Sequence, residues 1–310
     1  LYHYVGLRKR EALKVAHVFE EFKMWWESQE RNTDQELTRV AALATQFQVC
    51  IVPDQKTRFG LFCRRMKLLD TATQTPLLFH LLEHHAPDSS EFISMLTDIE
   101  SYFVRRFVCG LTTKSYNRVF LDRLLSEMVA EEKADAPTLR AKLLALEGDS
   151  QLWPSDEKFG IAWSRRQLYE GRNSRKVRAI LEALEFSLRT SKQEFMPELD
   201  SLSVEHVLPQ GWKPQDWPLP ADTAEAKEAR ARLLHSLGNL TLVTSGFNSS
   251  LSNVAFSLKR PELAANSSLM LNAYFQKFKD ADPWDEETIV ARAESLFGRA
   301  CTIWPYPAKA

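Results

Sequence analysis

LSVEHVLP at residues 202–209 and LGNLTLVT at residues 237–244 are the two stretches that decide the fold. Each is short, each contains several Leu and Val residues, and each is marked by a Pro or Gly, a pattern typical of β-strands. Residues 223–234 between them are rich in Ala, Glu, Lys and Arg and predict a helix. The sequence therefore predicts two short strands, at residues 202–208 and 240–244, that enclose a helical insert.

Helices are predicted for most of the remaining chain. Between residues 8 and 148 apolar residues recur at spacings of three and four, and Pro marks the breaks. The predicted fold class is mainly α, with an N-terminal helical domain at residues 1–150 and a second domain at residues 151–310, whose core lies at about residues 200–262. An irregular helical bundle and a stack of helix pairs both fit the first domain.

The composition is that of an ordinary globular protein. With 44% hydrophobic and 26% charged residues, a chain of 310 residues can bury a core without disulfides or metals and suits two domains. The four cysteines form no C-x-x-C pair, which argues against a zinc knuckle and a disulfide framework. The sequence has neither the long apolar stretch of a membrane helix nor a secretory signal at its start. We expect a cytoplasmic protein that does not associate with membranes.

Charge is unevenly distributed along the chain. The net charge of −1 predicts no general affinity for a polyanion, so binding to nucleic acid would depend on local clusters. Between residues 165 and 192 basic residues outnumber acidic ones, and this cluster includes Arg172, Arg175 and Lys176. We expect these three residues to contact a DNA backbone. The alternative interpretation is a solvated helix face with ordinary lysines and arginines.

Residues of the kind that phosphodiester hydrolysis needs lie in and after the two predicted strands. That reaction needs a base to generate hydroxide and a metal ion to neutralise charge on the phosphate. Glu205 and His206 supply a candidate metal ligand and a candidate base, Asn239 lies at a glycine-marked turn, and Asn248 follows. Taken singly, each has an ordinary explanation, because a His before Leu-Pro usually packs and an Asn in a turn usually serves the backbone.

Taken together, these residues resemble a known family. The sequence EHVLPQ at residues 205–210, the sequence HSLGNLTL at residues 235–242 and the segment 248–260 are similar to the C-terminal nuclease domain of GmrSD-type restriction endonucleases. The likeness continues through residues 284–305, so that it covers about the last third of the chain. Residues 102–117 resemble, more weakly, the region that precedes the nuclease in such proteins.

The resemblance implies a small ββα-metal nuclease core of HNH type, embedded in helices. By that resemblance His206 is the general base that takes a proton from the attacking water, and Glu205 beside it is the acidic metal ligand. Asn239 braces the loop and orients the histidine. Asn248 falls at the position of the final metal ligand, for which Asn253 is the competing choice.

The resemblance also implies a cofactor and phosphate contacts. Oxygen ligands and an amide, without thiolates, favour Mg²⁺, with Mn²⁺ as the alternative. Lys259 or Arg260 would hold a neighbouring phosphate of the DNA. Two positions depart from the commonest HNH pattern, since the acidic residue is Glu and the last ligand is Asn. Both departures bear on which metal works best.

Proteins of the resembled family act in bacterial defence against phage or modified foreign DNA and carry an upstream ParB-like nucleotide-hydrolysing domain. The sequence has no G-x-x-x-x-G-K-[ST] loop and begins at Leu1, so we expect that domain to be missing from this fragment. The expected function is a metal-dependent HNH endonuclease that nicks DNA, since a single HNH site cuts one strand at a time. The alternatives are an inactive DNA-binding or regulatory module, RNA as substrate, and a protein-interaction role for the helical half.

His80, His84 and His85 form a second cluster of potential metal ligands. Their spacing places His80 and His84 on one helix face, but no third ligand follows nearby in the sequence. A surface helix end is therefore the favoured interpretation of this cluster.

Overall fold

The chain divides into two compact units. The computed structural model describes residues 1–193, 195, 197–251 and 253–307, and the side chains of residues 249–251 lie outside that description. One unit is Leu1–Trp153 with Tyr306–Ala310, and the other is Pro154–Pro305. The sequence placed the division after residue 150 and assigned the whole C-terminus to the second domain. Within the described residues, no helix is both long and apolar enough to cross a membrane.

The first unit is built from helices, as its apolar periodicity predicts, and the prediction of a mainly α chain is confirmed. Side chains of Thr57, Ser89 and Asp135 cap the first turns of three of these helices, each by accepting a backbone N–H. The helices are α1 (Tyr2–Lys9), α2 (Val18–Glu27), α3 (Thr33–Ile51), α4 (Arg58–Leu68), α5 (Thr75–Leu82), α6 (Ser90–Val108), a π-helical stretch (Arg118–Leu125) continued by α7 (Ser126–Ala130), and α8 (Ala136–Leu144).

The three neighbouring histidines of the first unit bind backbone carbonyls. A ring nitrogen of His80 lies 2.9 Å from the carbonyl oxygen of Lys133, and a ring nitrogen of His85 lies 2.9 Å from that of Ala134. His84 contacts the carbonyl of His80, one turn earlier in the chain. His80 itself is buried, which differs from the surface position that its place near a helix end suggested. The rings of His80 and His85 thus join the end of α5 to the segment before α8.

The second unit holds the two strands. Strands β1 (Leu202–His206) and β2 (Leu240–Thr244) pair antiparallel, with Glu205 opposite Thr241 and His206 opposite Leu240. The helices of this unit are α9 (Asp156–Arg165), α10 (Ser174–Leu188), α11 (Ala224–Leu234), α12 (Ser245–Leu251), α13 (Phe256–Asn266), α14 (Met270–Ala273) and α15 (Glu286–Ile303). The helical insert and β2 lie where the sequence predicted them, and β1 begins where predicted but is shorter.

Strand β1 ends at His206, two residues before the predicted end, because the next two backbone amides both donate to Asn239. The amide of Val207 donates to the carbonyl of Asn239 at 2.9 Å, and the amide of Leu208 donates to the Asn239 side chain at 2.8 Å. The chain therefore leaves the strand directly after the Glu205–His206 pair, which stands at the strand's end.

A hydrophobic core beneath the strands holds this arrangement. Gly238 allows α15 to approach the turn before β2, since a Cβ at that position would lie only 2.0 Å from the carbonyl oxygen of Ile289. Burying such apolar side chains stabilises a fold by about 25 cal/mol per Å² removed from water. The buried members of the core are Val207, Leu208, Trp217, Val243, Phe256, Leu263, Phe275, Trp284 and Ile289.

Candidate active site

The last two residues of β1 are Glu205 and His206. Alternate residues of a strand point to opposite faces, so Ser203 and Glu205 share one face and His206 points to the other. His206 is 5% exposed, whereas the side chain of Glu205 remains 15% exposed in its ion pair. The two candidate groups thus have different access to solvent.

His206 is a buried, neutral imidazole held by other rings. Its Nε2 lies 3.0 Å from Nδ1 of His235, and its Nδ1 lies 3.5 Å from the amide nitrogen of Gln210. Tyr169 packs edge-on against it, with 4.8 Å between ring centroids. Burial, with the nearby charges of His235 and Lys259, lowers the pKa of His206 to about 3. His206 is therefore uncharged at neutral pH, the form in which an imidazole accepts a proton.

Glu205 forms an ion pair with the ammonium of Lys259, which also donates to the carbonyl of His206 at 2.7 Å. Lys259 comes from α13 and is fully buried. Burial lowers its pKa, an effect that the charge of Glu205 opposes. Lys259, predicted from the sequence to hold a phosphate, thus faces the interior and bridges the two candidate residues. Arg260, the alternative predicted for that role, forms an ion pair with Asp280.

Asn239 is fully buried, and its amide group makes four hydrogen bonds. Its Oδ1 accepts from the backbone N–H of Leu208 at 2.8 Å and from the indole N–H of Trp284 at 3.0 Å. Its Nδ2 donates to the carbonyls of Leu208 at 2.9 Å and Leu234 at 2.8 Å. Asn239 therefore fixes the loop that follows His206.

The two asparagines considered for the last metal ligand lie in different surroundings. Asn248, in α12, donates through Nδ2 to the hydroxyl of Ser203 at 3.1 Å, which places it on the face of β1 that also carries Glu205. That bond does not use its amide oxygen, the atom that ligates cations. Asn253 is exposed and lies beside Gly211, where an added Cβ would be 3.0 Å from the Asn253 amide nitrogen. Its surroundings are the loop after β1.

Arg172 and Arg175 are exposed, whereas Lys176 is half-buried and engaged in a contact. Arg172 follows a segment that is fixed beside the site, because the backbone amides of Leu168 and Tyr169 donate to the carbonyl of His235 at 2.9 and 3.2 Å. Chain geometry limits the Cα of Arg172 to about 11 Å from that of Tyr169. The backbone of Arg172 is therefore in the neighbourhood of the site.

Several residues that build the site received no role from the sequence. His235 and Tyr169 surround His206, and Trp284 binds Asn239. Arg292 is fully buried in α15 and donates to the carbonyls of Gly238 at 3.0 Å and Leu240 at 2.7 Å. Its burial lowers the pKa of the guanidinium to about 10. Three of the four lie in the segments that carry the family resemblance, but only the folded chain brings them to the site.

The donors present fit a hard divalent cation. Glu205 offers a carboxylate and Asn248 an amide oxygen, and Mg²⁺ is usually bound by one or two carboxylates together with water and substrate phosphates. Within the described part of the chain, no group of three or more His, Cys, Asp or Glu residues could form a complete protein cage for a metal. The donor set therefore suits a cation that is completed by its substrate.

Comparison with known protein families gives one match. Residues 153–299 match the family model described as GmrSD restriction endonucleases, C-terminal domain. The match includes all the candidate site residues and begins at the division between the two units. Neither the comparison with curated proteins nor that with solved structures gave a significant match.

Proposed function

We propose that this chain is a metal-dependent endonuclease of HNH type that nicks DNA, and the match of residues 153–299 to the C-terminal domain of GmrSD restriction endonucleases supports this proposal. The observation that carries the proposal is that Glu205 and the buried His206 are neighbours at the end of β1. An acidic group for a cation and a base for water are the two groups that such hydrolysis requires.

His206 is the proposed general base. Its Nε2 lies 3.0 Å from His235, whereas its Nδ1 has the longer contact of 3.5 Å with the amide of Gln210, so Nδ1 is the nitrogen that we assign to take a proton from water. Asn239 fixes the loop after His206, and Lys259 holds its carbonyl, so that two contacts restrict the backbone on which the base is mounted. A base held in this way loses little freedom on reaching the transition state.

Glu205 and Asn248 are the proposed ligands of Mg²⁺ or Mn²⁺, and Asn253 is the alternative to Asn248. A bound divalent cation supplies neutralisation of charge on the scissile phosphate and on the departing oxygen. Asn248 is favoured because it contacts Ser203 on the face of β1 that carries Glu205. Lys259 would place its positive charge beside the same carboxylate and so limit how tightly a cation binds.

DNA is the proposed substrate. Arg172 and Arg175 are exposed cations, and exposed arginines suit contacts to the phosphates of a DNA backbone. One proposed site would cut one strand at a time, so the expected product is a nick. By analogy with the family, we place this activity in bacterial defence against phage or modified DNA, with an upstream ParB-like domain supplying nucleotide hydrolysis.

A second function is favoured by one observation. The ion pair between Glu205 and the buried Lys259 occupies the carboxylate that a cation would need. If that pair persists, the domain is a DNA-binding or regulatory module without catalysis, and the exposed arginines supply its affinity.

Cleavage of supercoiled plasmid with Mg²⁺, Mn²⁺ or EDTA separates these functions. The proposal predicts open circles with a metal, none with EDTA, and none for Glu205→Gln. Glu294→Gln, an exposed carboxylate of α15, is the matched control and should cut normally. Cutting in EDTA would overturn the proposal. Supercoiled plasmid in every lane, together with salt-sensitive DNA binding, would support the inactive module.

A further inference from the structure

Only one hydrogen can lie between the facing ring nitrogens of His206 and His235. Two ring nitrogens 3.0 Å apart form a hydrogen bond when one carries hydrogen and the other presents a lone pair. If His206 donates from Nε2, its Nδ1 is left with a lone pair. If His235 donates from Nδ1, then a neutral His206 carries its hydrogen on Nδ1 and has no lone pair there.

His235 is fixed in place on two sides. It follows α11 directly, and its carbonyl accepts from the backbone amides of Leu168 and Tyr169. Its ring lies nearly parallel to that of Tyr169, at an angle of 19° and with 6.2 Å between centroids. Both rings border His206, so the imidazole of His235 cannot turn away without breaking these contacts.

The surroundings favour donation by His206. Gln210 places its amide nitrogen, which is a donor, 3.5 Å from Nδ1 of His206. A donor beside Nδ1 requires a lone pair on that nitrogen, and the hydrogen of a neutral ring then lies on Nε2, facing His235. The carboxylate of Glu205 points to the other face of β1.

We propose that His235 is a positioning residue that keeps His206 in the tautomer with hydrogen on Nε2, so that Nδ1 is left to accept a proton. The catalytic consequence rests on the proposed function, because it assumes that His206 is the base of a hydrolytic reaction. The tautomer itself does not depend on that assumption. His235 thus acts through His206 and does not need to touch the substrate.

Two substitutions separate the hydrogen bond from the packing. His235→Phe keeps a ring against Tyr169 but removes the acceptor, whereas His235→Asn removes the ring and keeps an acceptor, Oδ1, close to the position of Nδ1. Two-dimensional NMR of ¹⁵N-labelled imidazoles in the full chain reports the tautomer, with His206→Gln used to assign its signals among the seven histidines. Thermal unfolding of each variant checks that it is folded.

The expected result is a single tautomer with hydrogen on Nε2 in the unaltered chain and in His235→Asn, and a mixture or the opposite tautomer in His235→Phe. Nicking should fall on the order of 100-fold in His235→Phe and stay close to normal in His235→Asn. An unchanged tautomer in folded His235→Phe would overturn the inference. If the tautomer shifts as expected while no variant and no metal gives nicking, the role of His235 stands and the proposed nuclease function fails.

Discussion

Trp284 donates its indole N–H to Oδ1 of Asn239 at 3.0 Å, and this bond joins the segment before α15 to the turn before β2. The same oxygen accepts the backbone amide of Leu208, just beyond the candidate base. Three segments that are far apart in the sequence therefore meet at one buried amide group.

Asn239→Ala should destabilise the second unit strongly. The change leaves two buried donors and two buried carbonyls without their partner, and each such group costs about 1–3 kcal/mol. Allowing for relaxation, we expect a loss of about 3–5 kcal/mol in the free energy of unfolding, measured by urea denaturation. Asn253→Ala, at an exposed position, should change it by less than about 0.5 kcal/mol. A similar small change in both variants would contradict the bracing role.

Gly238→Ala should be poorly tolerated, because the added Cβ would lie 2.0 Å from the carbonyl oxygen of Ile289 and would push α15 away from the strands. We expect loss of soluble folded protein or a drop in melting temperature of several degrees. Gly298→Ala is the matched control. Gly298 lies in α15, and nothing lies within 4 Å of a Cβ added there. That control should be neutral or stabilising. Equal melting temperatures for the two variants would rule out the close approach.

The double variant Arg172→Ala, Arg175→Ala should weaken binding to all DNA sequences by about the same factor. Each lost phosphate contact reduces the slope of log affinity against log salt by about 1, so the double variant should lower it by about 2. Fluorescence anisotropy at several salt concentrations measures this slope. Lys56→Ala, an exposed cation of the first unit, should leave the slope unchanged. A slope that is the same in the double variant would place the DNA elsewhere.

Stability should fall at mildly acid pH, in part through His80. Burial lowers the pKa of His80 below its ordinary value of 6.5, although its hydrogen bond to Lys133 opposes the effect. The unfolded chain therefore binds a proton more readily, so this residue's contribution is complete above pH 6.5 and is lost as the pH falls towards the lowered pKa. Urea denaturation between pH 7.5 and 5 should show a shallower decline for His80→Gln than for the exposed His17→Gln. If the free energy of unfolding declined equally in the two variants, His80 would have no part in the acid sensitivity.

The elements that carry the site could be predicted from local sequence. The strands, the helical insert and the Glu205–His206 pair follow from hydrophobic pattern and turn residues, which act over a few positions. Family resemblance added the grouping of Asn239 and Asn248 with that pair.

The contacts that complete the site could not be predicted in the same way. The sequence predicted Lys259 as a cation that contacts a phosphate of the DNA, but α13 packs so that its side chain reaches inward to Glu205. His235 and Tyr169 meet His206 only because α11 and the segment before α10 converge on β1. Such long-range contacts leave no periodic signal in the sequence, since they depend on how helices pack.

The most direct test of the central claim is the rate of plasmid nicking by His206→Ala in Mg²⁺ or Mn²⁺, beside the unaltered chain and His17→Ala as an exposed control. Removal of a general base should slow cleavage by about 10²- to 10⁴-fold while the protein stays folded by circular dichroism. The control should cut at the normal rate. Normal nicking by folded His206→Ala would contradict the assignment of the base and, with it, the active site proposed at the end of β1.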